Sequence, residues 1–91
     1  NIAVEPEEIT VFDDFTFGGY AEIPREVVEI MKRIARLEGL ILDPVYTAKA
    51  MAGLISLVER GYIDKKSTVV FIHTGGTPIP FQYSDEITKY M

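Results

Sequence analysis

The chain has 91 residues, 47% hydrophobic and 25% charged, with 14 acidic side chains against 9 lysines and arginines and a net charge of −5. That length fits one domain at most, and the excess of acid excludes a nucleic-acid phosphate ligand, which needs clustered cations. With no cysteine, neither a disulfide framework nor a thiolate metal site is available. The longest largely apolar run, Ala50 to Val58, falls far short of the roughly 20 residues of a membrane span, and no secretory leader is visible. The expectation is therefore a cytoplasmic protein with neither a nucleic-acid nor a membrane partner. Asn1 and Gln82 are the sole side-chain amides, which fits a thermophile, where deamidation is a hazard. The first residue is not Met, so the chain reads as cut from something longer.

Residues Asn1 to Glu8, with three glutamates and Pro6, suit a loop. Ile9 to Phe12 has strand-forming residues, and Phe15 and Phe17 continue a period of two. Gly18 and Gly19 end that pattern in a turn carrying Tyr20. A helix follows, with Pro24 in its first turn. Val27, Ile30, Met31, Ile34 and Leu37 form its apolar stripe, and Gly39 is its stop. Asp43 reads as the N-cap and Pro44 as the first residue of a second helix, running to about Arg60. That helix is apolar on most of its circumference and wants burial on more than one side. Ser67 to His73, with Val69 to Ile72 unbroken by polar residues, predicts a strand covered on both faces, as in a parallel sheet. Pro78 and Pro80 oppose a regular helix immediately afterwards, and Tyr83 to Met91 suits a short one. No internal repeat is present.

One convincing strand and one weaker one do not make a stable sheet. The whole chain, residues 1–91, therefore reads as a single C-terminal piece of a larger α/β domain. The parent would be an open, mostly parallel, twisted sheet flanked by helices. The alternative is a small α+β domain that closes on itself or by dimerisation.

Three places could carry chemistry. In open α/β sheets, ligands collect at the carboxyl ends of strands, which points to His73-Thr74-Gly75-Gly76. Glycines there let backbone N–H groups approach an anion, although a plain tight turn has the same sequence. At the opening of the long helix, Tyr46 and Thr47 occupy a first turn with unpaired N–H groups. They are equally explained as packing and exposed residues beside the Asp43 cap. Tyr20 is either an active-site phenol or a lid over the core. His73 is the lone histidine, which excludes a multi-histidine metal centre. Asp13-Asp14 and Glu7-Glu8 read as solvated loop charge, and Lys49 as helix packing.

Taken together, Glu38-Gly39-Leu40-Ile41-Leu42-Asp43-Pro44-Val45-Tyr46-Thr47-Ala48-Lys49-Ala50-Met51 and Phe71-Ile72-His73-Thr74-Gly75-Gly76 resemble the 1-aminocyclopropane-1-carboxylate deaminase and D-cysteine desulfhydrase family. The resemblance runs from about Ile9 to Phe81. It implies a pyridoxal 5′-phosphate enzyme of fold type II, the tryptophan-synthase-β-like fold. The family has Gly where this chain has Ala48, a change a helix tolerates.

By that resemblance Tyr20 and Tyr46 are catalytic residues at the reacting centre. Thr47 faces the pyridine nitrogen, and Thr74 and Gly75 bind the cofactor. Deaminase members have Glu at the position of Thr47 and Leu at that of Thr74, whereas desulfhydrase-like members resemble this chain. The implied reaction is β-elimination from D-cysteine to pyruvate, ammonia and sulfide. The alternatives are the deaminase, an amino-acid racemase, or a non-catalytic interaction module. The implied partners are the N-terminal remainder of the same enzyme, a small amino-acid substrate and a second copy in a homodimer. No counterpart of the family's Schiff-base lysine or phosphate loop is present, so the chain alone is expected to be inactive. A phenol that works as a base must ionise well below the usual value of about 10. A phenol that donates a proton has no such requirement.

Overall fold

Helix α1 spans Arg25–Glu38. Pro24 precedes it in an extended conformation, and Gly39 closes it with φ +67°, its N–H bonded to the Ala35 carbonyl. This is the left-handed stop that glycine accepts without a Cβ penalty. Helix α2 spans Thr47–Glu59 and packs on α1. The computed structural model describes residues 2–91; the first residue of the expected Asn1–Glu8 loop lies outside them. Pro6–Glu8 forms one 3-10 turn within that segment.

The core is small and lies where α1 meets the opening of α2. Val27, Ile34, Leu42 and Ala48 are its buried residues, with Phe17, Ile30, Met31, Met51 and Phe71 packed against them. The expected stripe of α1 faces this core at Val27, Ile30, Met31 and Ile34; Val28 is fully buried in addition, whereas Leu37 at the last turn is 66% exposed.

Helix α2 starts three residues later than expected, and Asp43 is the reason. Its carboxylate accepts from the N–H groups of Val45, Tyr46 and Thr47 at 2.7–2.9 Å. The Ala48 N–H reaches back to the Asp43 carbonyl at 2.9 Å. A five-residue step is wider than an α-helical turn, so residues 44–46 form a wide turn and regular geometry begins at Thr47. Asp43 thus caps as expected, but it caps a wide turn instead of a helix starting at Pro44. Beyond that opening α2 is covered on one side: Ala48, Lys49 and Gly53 are buried, while Leu54, Ile55, Leu57 and Val58 are half-exposed.

No strand forms among the described residues, so the sheet and both of its expected strands are absent from this structure. A strand is defined by bonds to a neighbouring backbone, and neither Ile9–Phe12 nor Ser67–His73 has one. Val11, Val70 and Ile72 are 82%, 83% and 76% exposed, the reverse of the double burial that their sequence calls for. The Cα radius of gyration, 14.4 Å, exceeds the roughly 12 Å of a closed domain of this length. In the tail, the prolines do not prevent helix as expected. A four-residue α3, Ile79–Gln82, accommodates Pro80 in its first turn, where no N–H is required. The short α4, Ser84–Thr88, follows within the expected range.

The loop at residues 73–76 is fitted to the helix opening through Gly76. A Cβ there would lie 2.8 Å from Asp43 Oδ1, and the residue holds φ +80°. Gly76→Ala is expected to cost about 2–3 kcal/mol, partly backbone strain and partly displacement of the capping carboxylate. In an Asp43→Ala background the same change should cost at least about 1 kcal/mol less, because the collision is gone. Chemical denaturation of the four variants of the full-length protein measures both numbers.

Candidate functional site

The site is assembled from the wide turn before α2 and the glycine loop before α1. Tyr46, 51% exposed, and Tyr20, 77% exposed, meet at 3.0 Å between hydroxyl oxygens. Their rings stand edge to face, with centroids 6.1 Å apart. Phe15, Thr16, Gly19, Val45 and Lys49 complete an open cleft of about 370 Å³ around them. Tyr20 and Tyr46, 26 residues apart in the chain, are thereby brought together.

The hydrogen bond shared with the Tyr20 hydroxyl and the electrostatic influence of Tyr20 raise the pKa of Tyr46 above 10.0, with smaller contributions from burial, Asp43 and Tyr83. The first-turn N–H groups, which would favour an ionised phenol if free, are spent on Asp43, and that carboxylate adds to the upward push. Tyr46 is suited to hold and deliver a proton and unsuited to remove one.

Thr47 is 2% exposed. Its hydroxyl donates to Asp43 Oδ1 at 2.6 Å and accepts from the Asp43 N–H at 2.8 Å. The side chain therefore turns into the helix opening, with one lone pair left over. Thr74 is exposed and, like Gly75, does not line the phenol cleft. The loop is tied to the chain before α2 by His73. Since the Gly75 N–H donates to Nδ1 at 3.1 Å, the proton lies on Nε2, which donates to the Ile41 carbonyl at 2.9 Å. Glu7, Glu8, Asp13 and Asp14 are exposed, as expected of solvated loop charge.

Lys49 was read as packing and does more than pack. It is 7% exposed, and its ammonium donates to the carbonyls of Thr16 and Gly19, each at 2.8 Å. The signal in the sequence was a lone cation in an otherwise apolar helix, one turn after Tyr46. Tyr83, which contributes to the pKa of Tyr46, had no signal beyond its place in the tail.

A family model described as pyridoxal-phosphate dependent enzyme matches residues 3–75. The chain belongs to that family. A protein of Pyrococcus abyssi is 42% identical over 99% of this chain and 26% of its own length. One of Pyrococcus furiosus is 45% identical over 86% of this chain and 23% of its own. Both carry the name "Putative 1-aminocyclopropane-1-carboxylate deaminase". A solved structure described as the ACC deaminase homologue superposes with a TM-score of 0.74 at 40% identity, covering 80% of this chain and 22% of that one. That match supports the fold type II family, and the chain spans about a quarter of the relatives it matches. No helix among the described residues is long and apolar enough to cross a membrane.

The residues present fit one side of a pyridoxal-phosphate site. The phenol pair borders an open cleft of about 370 Å³, whereas Thr47, buried behind Asp43, and Thr74 and Gly75 do not line it. Among the described residues the one buried lysine, Lys49, has its ammonium bound to two carbonyls and is not placed as a Schiff-base partner.

Burial pushes the Asp43 carboxyl up, but the bonds from the Thr47 hydroxyl and from the Thr47, Tyr46 and Val45 N–H groups outweigh it and hold the pKa below 3.8. A carboxyl depressed in the folded state stabilises fully above its unfolded pKa, near 3.9, and that contribution is lost as pH falls through the folded value. Asp43→Asn should lower stability by about 1–3 kcal/mol at pH 7 and by progressively less below pH 4. Thermal unfolding of wild type and variant across pH 2–7 checks the sign and the window.

Proposed function

We propose that this chain forms the phenol-bearing wall of a pyridoxal-phosphate-dependent lyase acting on a small amino acid, with D-cysteine as substrate. The observation that carries the reading is the Tyr20–Tyr46 hydroxyl pair at 3.0 Å over an open cleft. The remainder of the enzyme would supply the Schiff-base lysine and the phosphate cradle, and would cover the exposed apolar residues Val70 and Ile72. When bound, pyridoxal phosphate supplies the electron sink that makes the bonds at the substrate's α-carbon labile.

Tyr46 holds its proton to high pH and would deliver it to the departing sulfur, while Tyr20 orients the phenol. Thr47 would contribute its free lone pair at the ring edge, its hydroxyl proton being committed to Asp43. Thr74 and Gly75 would approach the ring from the 73–76 loop. A hydroxyl at position 47, in place of a carboxylate, would hold a proton on the pyridine nitrogen less firmly. The weaker sink suits loss of sulfide, a good leaving group, more than opening of a cyclopropane ring. The second reading is a 1-aminocyclopropane-1-carboxylate deaminase, favoured by the names that the Pyrococcus relatives carry.

Full-length protein is expected to release sulfide and pyruvate from D-cysteine faster than it opens 1-aminocyclopropane-1-carboxylate; the opposite ratio would install the deaminase reading. Tyr46→Phe should lower kcat by about 10²-fold or more, the usual scale of a lost proton donor. Because the phenol must stay protonated, ionisation of Tyr46 should cause no loss of rate around neutral pH. An alkaline limb that starts near neutrality and vanishes in Tyr46→Phe would reverse its role from donor to base.

A further inference from the structure

The loop that carries Tyr20 is held in a backbone conformation that side chains resist. Phe17 and Ala21 have φ +54° and +61°, and between them Gly18 and Gly19 have +100° and +135°. Positive φ in non-glycine residues is uncommon and persists where surrounding contacts over-determine it. The loop supplies two internal backbone bonds, Gly19 N–H to Thr16 O and Glu22 N–H to Gly19 O, each at 3.3 Å. The shorter contacts come from outside it. Lys49 Nζ donates at 2.8 Å to the carbonyls of Thr16 and of Gly19, immediately before Tyr20.

Lys49 and Asp43 are the charged residues buried among those described, and the function proposed above uses the ammonium for nothing. Lys49 lies in the first turn of α2, three residues after Tyr46 in the turn that leads into that helix, so one short stretch of chain carries one phenol directly and grips the backbone that carries the other. We infer that Lys49 is a positioning residue, its ammonium clamping the Thr16 and Gly19 carbonyls and so setting the Tyr20 hydroxyl against that of Tyr46. Its relevance to turnover rests on the catalytic reading of the two phenols; the clamp itself does not.

Ammonium chemistry suits the task. Two carbonyl oxygens converge on one nitrogen, which a point cation with several donors satisfies and a hydrocarbon of the same length does not. Burial pulls the pKa of Lys49 down, and Glu22, the charged neighbour facing it, acts against that pull. Around Tyr46 the corresponding groups are Tyr20, Asp43 and Tyr83.

The test uses full-length protein with its tyrosine rings isotopically labelled, the Tyr46 resonance being assigned by its disappearance in Tyr46→Phe. In wild type that resonance should titrate above 10.0, and in Tyr20→Phe it should move down. Lys49→Met should move it in the same direction, and adding Tyr20→Phe to Lys49→Met should give no further shift. Lys49→Met should also lower kcat by up to about 10²-fold, the scale of an ångström-level misplacement. The double variant should be no slower than the slower single. If Lys49 only packs, Lys49→Met lowers the unfolding temperature and leaves the Tyr46 titration where it was, which overturns the proposal. Should Lys49→Met fail to fold, Lys49→Gln, keeping an amide donor on a shorter stem, is read by the same titration, and an unchanged value again overturns the clamp. If Tyr46→Phe turns over like wild type, the catalytic reading falls while the titration still decides the clamp.

Discussion

One buried carboxylate organises this molecule. Asp43 accepts three backbone N–H groups and a hydroxyl, gives its own N–H to that hydroxyl, and lies against Gly76 of the 73–76 loop. The first-turn donors that a helix leaves unpaired are therefore largely consumed by the chain itself. The opening of α2 is consequently no general anion site. It is a rigid mount whose product is the direction of Tyr46, turned out toward solvent while Thr47 is turned in.

That arrangement also governs the electrostatics. A helix opening with free N–H groups would favour a phenolate; one already neutralised by a carboxylate does not. The same Asp43 that fixes Tyr46 in space works against its ionisation, and Tyr20 does so more strongly. Position and protonation state of the phenol thus have common causes.

Local features were legible where the information is local. Gly39 as a left-handed stop, Asp43 as a cap and the extent of α1 follow from residues within a few positions of one another. The segments Glu38 to Met51 and Phe71 to Gly76 also carried the family. Strands are different, because their bonds belong to a neighbour. The apolar run Val69 to Ile72 describes the surroundings that residues 69–72 require and not a conformation they can adopt unaided. The position of Leu37 fails in a smaller way: periodicity names a face of α1, and only α2 determines how much of that face is covered. The start of α2 is not legible in Asp-Pro, because a carboxylate that accepts three N–H groups at once widens the turn. The pairing of Tyr20 with Tyr46 depends on a loop of positive φ values that composition hints at through Gly18 and Gly19 alone. Lys49 was visible as an anomaly in an apolar helix, but its acceptors, two carbonyls 30 and 33 residues earlier, were not.

The placement of Lys49 three residues after Tyr46 has a mechanical consequence. Both phenols are referred to one short stretch of chain, Tyr46 by covalent attachment and the Tyr20 loop through the ammonium. The gap between the two hydroxyls is thereby set from a single point, much as the jaws of a caliper are set by one screw.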